Sequence, residues 1–173
     1  RQLYDDGVEF KNVYDGSYFK LTPQDSIKTQ NLLGSDIAMI FDCLIDIDKP
    51  DEEQKKAIEM TKKWAFIAKE THNNSRQSLF GIVQGGLNLN LREQSAKSMI
   101  DLNFDGYAIG GLAIGESREE RKSVVEFLSN VLPVDKPRYV MGLGDTIGLI
   151  DLIDSGVDTV SYTHLTLPTK SRG

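Results

Sequence analysis

An α/β chain built on a parallel sheet is the fold this sequence predicts, on three observations. Short apolar runs alternate with amphipathic helical stretches along most of the chain. Three of those runs stop at glycines: Ile82-Val83-Gln84-Gly85-Gly86, Tyr107-Ala108-Ile109-Gly110-Gly111 and Tyr139-Val140-Met141-Gly142-Leu143-Gly144. A helical pattern follows each, which is the signature of strand–helix units joined by right-handed crossovers. About five such units follow one another without a linker. Five strands do not close an eight-stranded barrel, so an open sheet and a piece of a barrel both fit.

The elements read in order as follows. Residues 1–22 look like a hairpin: Val8-Glu9-Phe10-Lys11 alternates, Asp15-Gly16 is a turn, and Tyr18-Phe19-Lys20-Leu21 resumes the strand. Thr22, Pro23 and Asp25 are an N-cap, a first helical residue and a helpful first-turn acid, and Gly34 stops that helix. Residues 36–41 read as a buried strand ending at Asp42. Residues 51–71 are the longest helix, with Ile58, Thr61, Trp64, Ala65 and Ala68 on one face. Leu79 to Val83 is a strand, and residues 90–102 a helix with Leu91, Ser95, Met99 and Leu102 on one side. Gly106 to Ile109 is a strand, and Ser117-Arg118-Glu119-Glu120 is a capping box opening a helix that buries Val124, Val125 and Leu128. Tyr139 to Met141 is a strand, Asp145 caps a helix running to Ile153, and Val157 to Val160 is the next strand. Trp64, Phe41, Phe80 and Phe104 are expected in the core rather than as stacking platforms.

Composition narrows the function. The chain has 173 residues, 39% hydrophobic and 27% charged, a net charge of −6 and a pI near 5.0. An acidic balance argues against a nonspecific nucleic-acid footprint spread over the segment, though not against a local basic patch. The single Cys43, expected as a small buried residue, allows no internal disulfide and no zinc site with several cysteine ligands. There are two histidines, His72 and His164. No segment has the apolar length of a membrane span, and the start at Arg1 is not a signal peptide, so a cytoplasmic protein is expected.

In parallel α/β folds ligands bind at the carboxyl ends of strands, so residues there are candidates. Asp42 follows an apolar run, and a carboxylate there can accept two hydrogen bonds from an N–H edge, or simply cap a turn. Gln84 offers donor and acceptor together, which suits a heterocyclic base, and Gly85-Gly86 allow close approach or form a plain turn. Gly110-Gly111 and Leu112-Ala113 offer backbone groups to a ligand. Glu116 can accept from a peptide N–H or cap the following helix. Gly142-Leu143-Gly144 before a helix fits a phosphate or a tight turn equally.

Several segments together resemble the tRNA-guanine transglycosylase (queuine tRNA-ribosyltransferase) family. They are Asp15-Gly16-Ser17, Leu21 through Ile27, Gly34-Ser35-Asp36-Ile37, Phe41-Asp42, Phe80 through Gly86, Gly106 through Glu116 and Lys136 through Gly144. The match covers roughly residues 1–160, and joint occurrence at this spacing is specific where each piece alone is modest. The resemblance implies part of a (β/α)₈ barrel truncated at both ends, its middle and later units occupying 1–160. It implies exchange of a wobble guanine in tRNA for 7-aminomethyl-7-deazaguanine (preQ1), by double displacement through a covalent ribosyl-aspartate. Carried over residue by residue, Asp42 binds the base's amino and ring N–H edge and Gln84, with Gly85 behind it, a carbonyl or ring nitrogen. Gly111 presents a backbone N–H to the base carbonyl. The Leu112-Ala113 peptide faces the aminomethyl group, Glu116 fixes that peptide, and Tyr139 and Met141 pack on the base. Ile114 stands where queuine-using relatives favour glycine, which implies preQ1 as substrate. The partners implied are tRNA, the guanine or preQ1 base, and a second copy in a homodimer, with no membrane.

Three parts of the family pattern are not found in the chain: a Ser-Gly-Gly-Phe-Gln segment with its aspartate, the zinc-binding cysteines, and an aromatic-Asp-Cys run before Leu-Pro-Thr. No cofactor is therefore expected in this chain, the family zinc site lying outside it. The nucleophilic aspartate falls in register on Ser161, or on His164 counted back from Leu167-Pro168-Thr169, and neither replaces it. Residues 161–173 read as an atypical, foreign tail, and the chain as written is expected to be inactive, with an exposed edge and inner face. Two alternatives remain: a noncatalytic tRNA-binding accessory subunit of the same family, and an unrelated barrel enzyme that binds phosphate through Gly142-Leu143-Gly144.

Overall fold

The computed structural model describes residues 2–144 and 146–161. Its elements are β1 (Gln2–Tyr4), β2 (Gly7–Lys11), β3 (Tyr18–Leu21), α1 (Pro23–Leu33), β4 (Ile37–Met39), α2 (Asp51–Thr71) and β5 (Ser78–Val83). There follow α3 (Leu89–Asp101), β6 (Gly106–Ile109), α4 (Arg118–Val131), β7 (Arg138–Val140), α5 (Thr146–Asp154) and β8 (Thr159–Val160). β1, β2 and β3 form an antiparallel meander, and β4 to β8 form a parallel sheet in sequential order. Each crossover in the larger sheet carries one helix to the next strand without reversing direction. Right-handed connections of that kind put α2 to α5 on one face and leave the other free to curve inward.

Register separates the two faces. Val83, Ile109, Val140 and Val160 align across the strands, and the first three are fully buried in the core beneath the helices. Ile82, Ala108, Tyr139 and Thr159 align on the opposite face. Gln84 follows Ile82 by one strand period and lies on that same face. Two glycines allow the strands to pack rings: a Cβ at Gly106 would enter the Phe80 ring, and one at Gly81 would strike Phe104 at 2.6 Å.

The starts of α1 and α4 are as the sequence predicts. Thr22 and Asp25 form a reciprocal capping box on α1, and Ser117 and Glu120 form one on α4. Gly34 ends α1 in the left-handed region at φ 68°, a conformation open to glycine. Thr22→Ala and Ser117→Ala are each expected to lower stability by about 1 kcal/mol, read from denaturant midpoints. The partner carboxyls respond to acid. The Thr22 hydroxyl holds Asp25 below its ordinary value, and the Ser117 backbone N–H does the same for Glu120. Their contribution is complete above the ordinary carboxylate range and is lost as pH falls through the lowered folded values.

The structure differs from expectation at several ends. Gln2 to Leu21 carry three strands rather than a hairpin, because Gln2–Tyr4 pairs with Gly7–Glu9. β4 stops at Met39 rather than 41; the chain then turns so that Phe41 stacks on Trp64, with centroids 5.0 Å apart. Ile37 is not buried, since β4 is an edge strand paired only with β5. β7 is shifted one residue early, and Met141 lies in the turn after it. β8 is two residues long because the Val157 N–H bonds back to the Leu152 carbonyl at the end of α5. Leu102 is only partly buried, as the C-cap of α3. The expected cap Asp145 and the tail residues 162–173, His164 among them, lie outside the described residues. Trp64, Phe80, Phe104 and Cys43 are buried as expected.

Candidate functional site

The candidate residues gather on the carboxyl-terminal rim of the parallel sheet. Gln84 is the first residue after β5, Gly110 the first after β6, Met141 the first after β7 and Ser161 the first after β8. Asp42 follows β4 by three residues. Sequential parallel strands bring these ends to one side, which no local pattern in the sequence specifies.

Asp42 and Gln84 meet directly. The Gln84 amide donates from Nε2 to Asp42 Oδ2 at 2.5 Å. Gln84 is only 4% exposed, and its backbone N–H donates to Ser95 Oγ at 3.0 Å. Its side chain runs along the glycine pair: a Cβ on Gly110 would sit 2.7 Å from Nε2, and one on Gly111 2.5 Å from Oε1. Gly111 also has φ 65°, so any larger residue there would be strained twice. Among the described residues the Gly111 N–H has no acceptor. Donor and acceptor groups thus converge on one spot: the Asp42 carboxylate, the Gln84 amide and the Gly111 N–H. That set complements a flat heterocycle carrying N–H donors on one edge and a carbonyl on another.

A second part of the rim is held by Glu116, whose side chain is 1% exposed. Its Oε1 accepts the Ala113 N–H at 2.7 Å and its Oε2 the Ile114 N–H at 3.1 Å. The Leu112-Ala113 peptide is therefore fixed with its N–H turned toward Glu116. Ala113 is left-handed at φ 63°, a conformation costly for a residue with a Cβ and retained here by the two carboxylate bonds. Arg121 lies 3.8 Å from the same carboxylate. Leu112 is buried in the main core, and Ile114 is partly exposed beside this loop.

Ser161 closes the third side. Its Oγ is hydrogen-bonded with the Tyr139 hydroxyl and accepts the Gly142 N–H at 3.4 Å. A Cβ on Gly142 would lie 3.8 Å from Ala113 Cβ, so the Tyr139–Ser161 pair adjoins the Glu116 loop. Met141 is partly buried and packs on the main core. Gly85, at φ 131°, faces the backbone of Leu91 and Arg92, where a Cβ would come within 2.8 Å. Its geometry serves the turn into α3. No group of three metal-ligating side chains is found among the described residues.

One residue essential to this arrangement was missed in the sequence. Arg92, on α3, is fully buried and donates Nε to Gly86 O at 2.8 Å, Nη1 to Val83 O at 3.0 Å and Gly110 O at 2.7 Å, and Nη2 to Gly111 O at 3.3 Å. Burial pushes the guanidinium down to about 9, and the Glu116 carboxylate pulls it back up, so it is charged at neutral pH. The available signal was an arginine at the helical spacing Arg92-Ser95-Ala96-Met99, all buried. An ionised side chain on an apolar face must find polar partners inside the fold.

Comparison with known proteins bears on this rim. Residues 1–172 match the family pattern described as Queuine tRNA-ribosyltransferase. A protein of that name from Bacillus licheniformis is 44% identical over 171 residues, which is 98% of this chain and 44% of the relative. Another from Caldanaerobacter subterraneus is 43% identical over 98% of this chain and 45% of the relative. A third, from Thioalkalivibrio sulfidiphilus, is 41% identical over 91% and 43%. The chain spans less than half the length of the curated relatives it matches.

Proposed function

The chain belongs to the queuine tRNA-ribosyltransferase family, and on that premise we propose that its rim is the base-recognition part of a tRNA-guanine transglycosylase. The observation that carries this reading is the convergence of the Asp42 carboxylate, the Gln84 amide and the Gly111 N–H, which has no acceptor among the described residues. Asp42 takes the amino and ring N–H edge of guanine, Gln84 a carbonyl or ring nitrogen, and Gly111 N–H the base carbonyl. The Leu112-Ala113 peptide, oriented by Glu116, faces the aminomethyl group of preQ1. Tyr139 and Met141 pack on the base. Ile114 narrows the space beside that peptide, which favours preQ1 over the bulkier queuine.

In the double displacement, an aspartate oxygen bonds to the ribose anomeric carbon as the bond to guanine N9 breaks. Its electron pair leaves with the base, which takes a proton. The ring nitrogen of preQ1 then forms the new bond, loses its proton, and expels the carboxylate. The nucleophile's register falls on Ser161, so this chain binds the base without forming the ribosyl-aspartate. The noncatalytic, tRNA-binding alternative would be distinguished by a genuine Ser161 tail in the source gene.

The sequential parallel sheet is read as the middle and later part of a (β/α)₈ barrel. Exposed Ile147, Ile150 and Ile153 on α5 support this, since they form a stripe suited to a neighbouring helix. Pairing as a homodimer, tRNA as the macromolecular substrate and a cytoplasmic location belong to the same reading. Among the described residues no helix is long and apolar enough to cross a membrane.

Calorimetry with free bases tests the site without requiring turnover. Guanine and preQ1 are expected to bind, adenine to bind at least tenfold more weakly, and inorganic phosphate not at all. Failure of guanine and preQ1 to bind, or adenine binding as tightly as guanine, would overturn the reading of the rim as a base-recognition site.

A further inference from the structure

We propose that Arg92 is a positioning residue for base recognition, one that sets the Gly111 N–H as a donor facing away from the guanidinium at the rim and so selects bases with a carbonyl at that edge. The proposal rests on the reading of the rim as a purine-base site. Its observation is the guanidinium fork itself. Nη1 holds the Gly110 carbonyl at 2.7 Å and Nη2 the Gly111 carbonyl at 3.3 Å, while Nε and Nη1 also grip Gly86 and Val83.

The geometry follows from the planarity of the peptide. No cis peptide bond is present among the described residues, and in a trans peptide the C=O and N–H point in opposite directions. A Gly110 carbonyl turned toward Arg92 therefore turns the Gly111 N–H away from Arg92. The Gln84 side chain borders the two glycines, and among the described residues the N–H has no acceptor.

Two adjacent glycines are the backbone least able to hold this orientation alone. With no Cβ at either, a flip of the Gly110–Gly111 peptide meets little steric resistance. The flipped peptide would present a carbonyl lone pair to the carbonyl of a bound base, which is repulsive. Arg92 decides between the two by taking both glycine carbonyls at once. Lysine cannot reproduce it, because an ammonium is a point donor and cannot span carbonyls from two strand ends.

The test compares guanine with 2-aminopurine, which has the same ring system and amino group but no 6-carbonyl. Both are titrated into the full chain and into Arg92→Lys and Arg92→Met, with folding checked by circular dichroism and melting. Arg92→Lys is expected to weaken guanine about tenfold, the worth of one oriented hydrogen bond, and to change 2-aminopurine less than twofold. Equal losses for the two bases would reduce Arg92 to a structural role and overturn the proposal. If neither variant folds, the unsubstituted protein decides by nuclear magnetic resonance. Guanine should shift the Gly111 amide and the Arg92 side-chain N–H signals together, and 2-aminopurine should not. A Gly111 amide unmoved by guanine, or moved without Arg92, overturns it. Failure of both bases to bind the unsubstituted protein overturns the base-site reading and this proposal with it, an outcome distinct from equal losses.

Discussion

Asp42→Ala is expected to weaken guanine binding by about 10²-fold or more, the largest effect of any single change on the rim. Asp42 is the rim carboxylate that faces the Gln84 amide, which it accepts at 2.5 Å. A carboxylate is the group suited to a paired N–H edge. Charge-assisted bonds of this kind are worth about 1.5–3 kcal/mol each in a partly dry site. Removing the carboxylate deletes two of them and leaves the buried Gln84 amide without its acceptor. Asp42→Asn separates charge from shape: it should lose nearly as much, because an amide presents a donor where the base also has one. Titration of guanine into each variant reads the effect. Retention of affinity within twofold by Asp42→Ala would remove Asp42 from the site and with it the strongest chemical argument for base recognition.

Trp64→Ala should cost about 3–5 kcal/mol of stability, enough to unfold a large fraction of the chain. Trp64 is fully buried on α2 and donates Nε1 to the Asp5 carbonyl at 2.8 Å. Its ring stacks on Phe41 with an interplanar angle of 16°. One side chain thus joins the longest helix, the antiparallel meander and the segment that carries Asp42. Truncation leaves a cavity, an unpaired carbonyl and a loosened Phe41. Phe66→Ala on the same helix is the control: Phe66 is 56% exposed, so its loss should change stability by no more than about 0.5 kcal/mol. Urea denaturation of both variants measures the contrast. Similar midpoints for the two would mean that Trp64 does not anchor the meander.

The parts of this molecule legible in the sequence are those with local causes. Thr22 and Ser117 announced helix starts because a cap is made within four residues. The buried face of α2 was legible because a 3.6-residue period is imposed on the chain by its own geometry. Candidate residues such as Asp42, Gln84, Gly111 and Glu116 were legible as strand-end signals, and the family pattern joined them. Strand limits were less so. β4 and β8 are shorter than their apolar runs, since an edge strand is held by only one neighbour and the chain leaves it when packing elsewhere is better. The first strand was missed because three residues carry too little alternation to register.

What the sequence by itself determined is the set of helices, the caps of α1 and α4, the alternation of strand and helix, and the residue types offered at each strand end. Those depend on contacts between near neighbours in the chain. Only the tertiary structure decided that Gln84 reaches Asp42 across 42 positions, that Arg92 on α3 holds the carbonyls of Gly110 and Gly111 on the next strand's end, and that Ser161 meets Tyr139. The physical reason is that a hydrogen bond between distant residues has no periodic trace. It exists because sequential parallel strands bring their carboxyl ends to one rim, and because a buried charge must take its partners from whatever backbone the fold sets beside it.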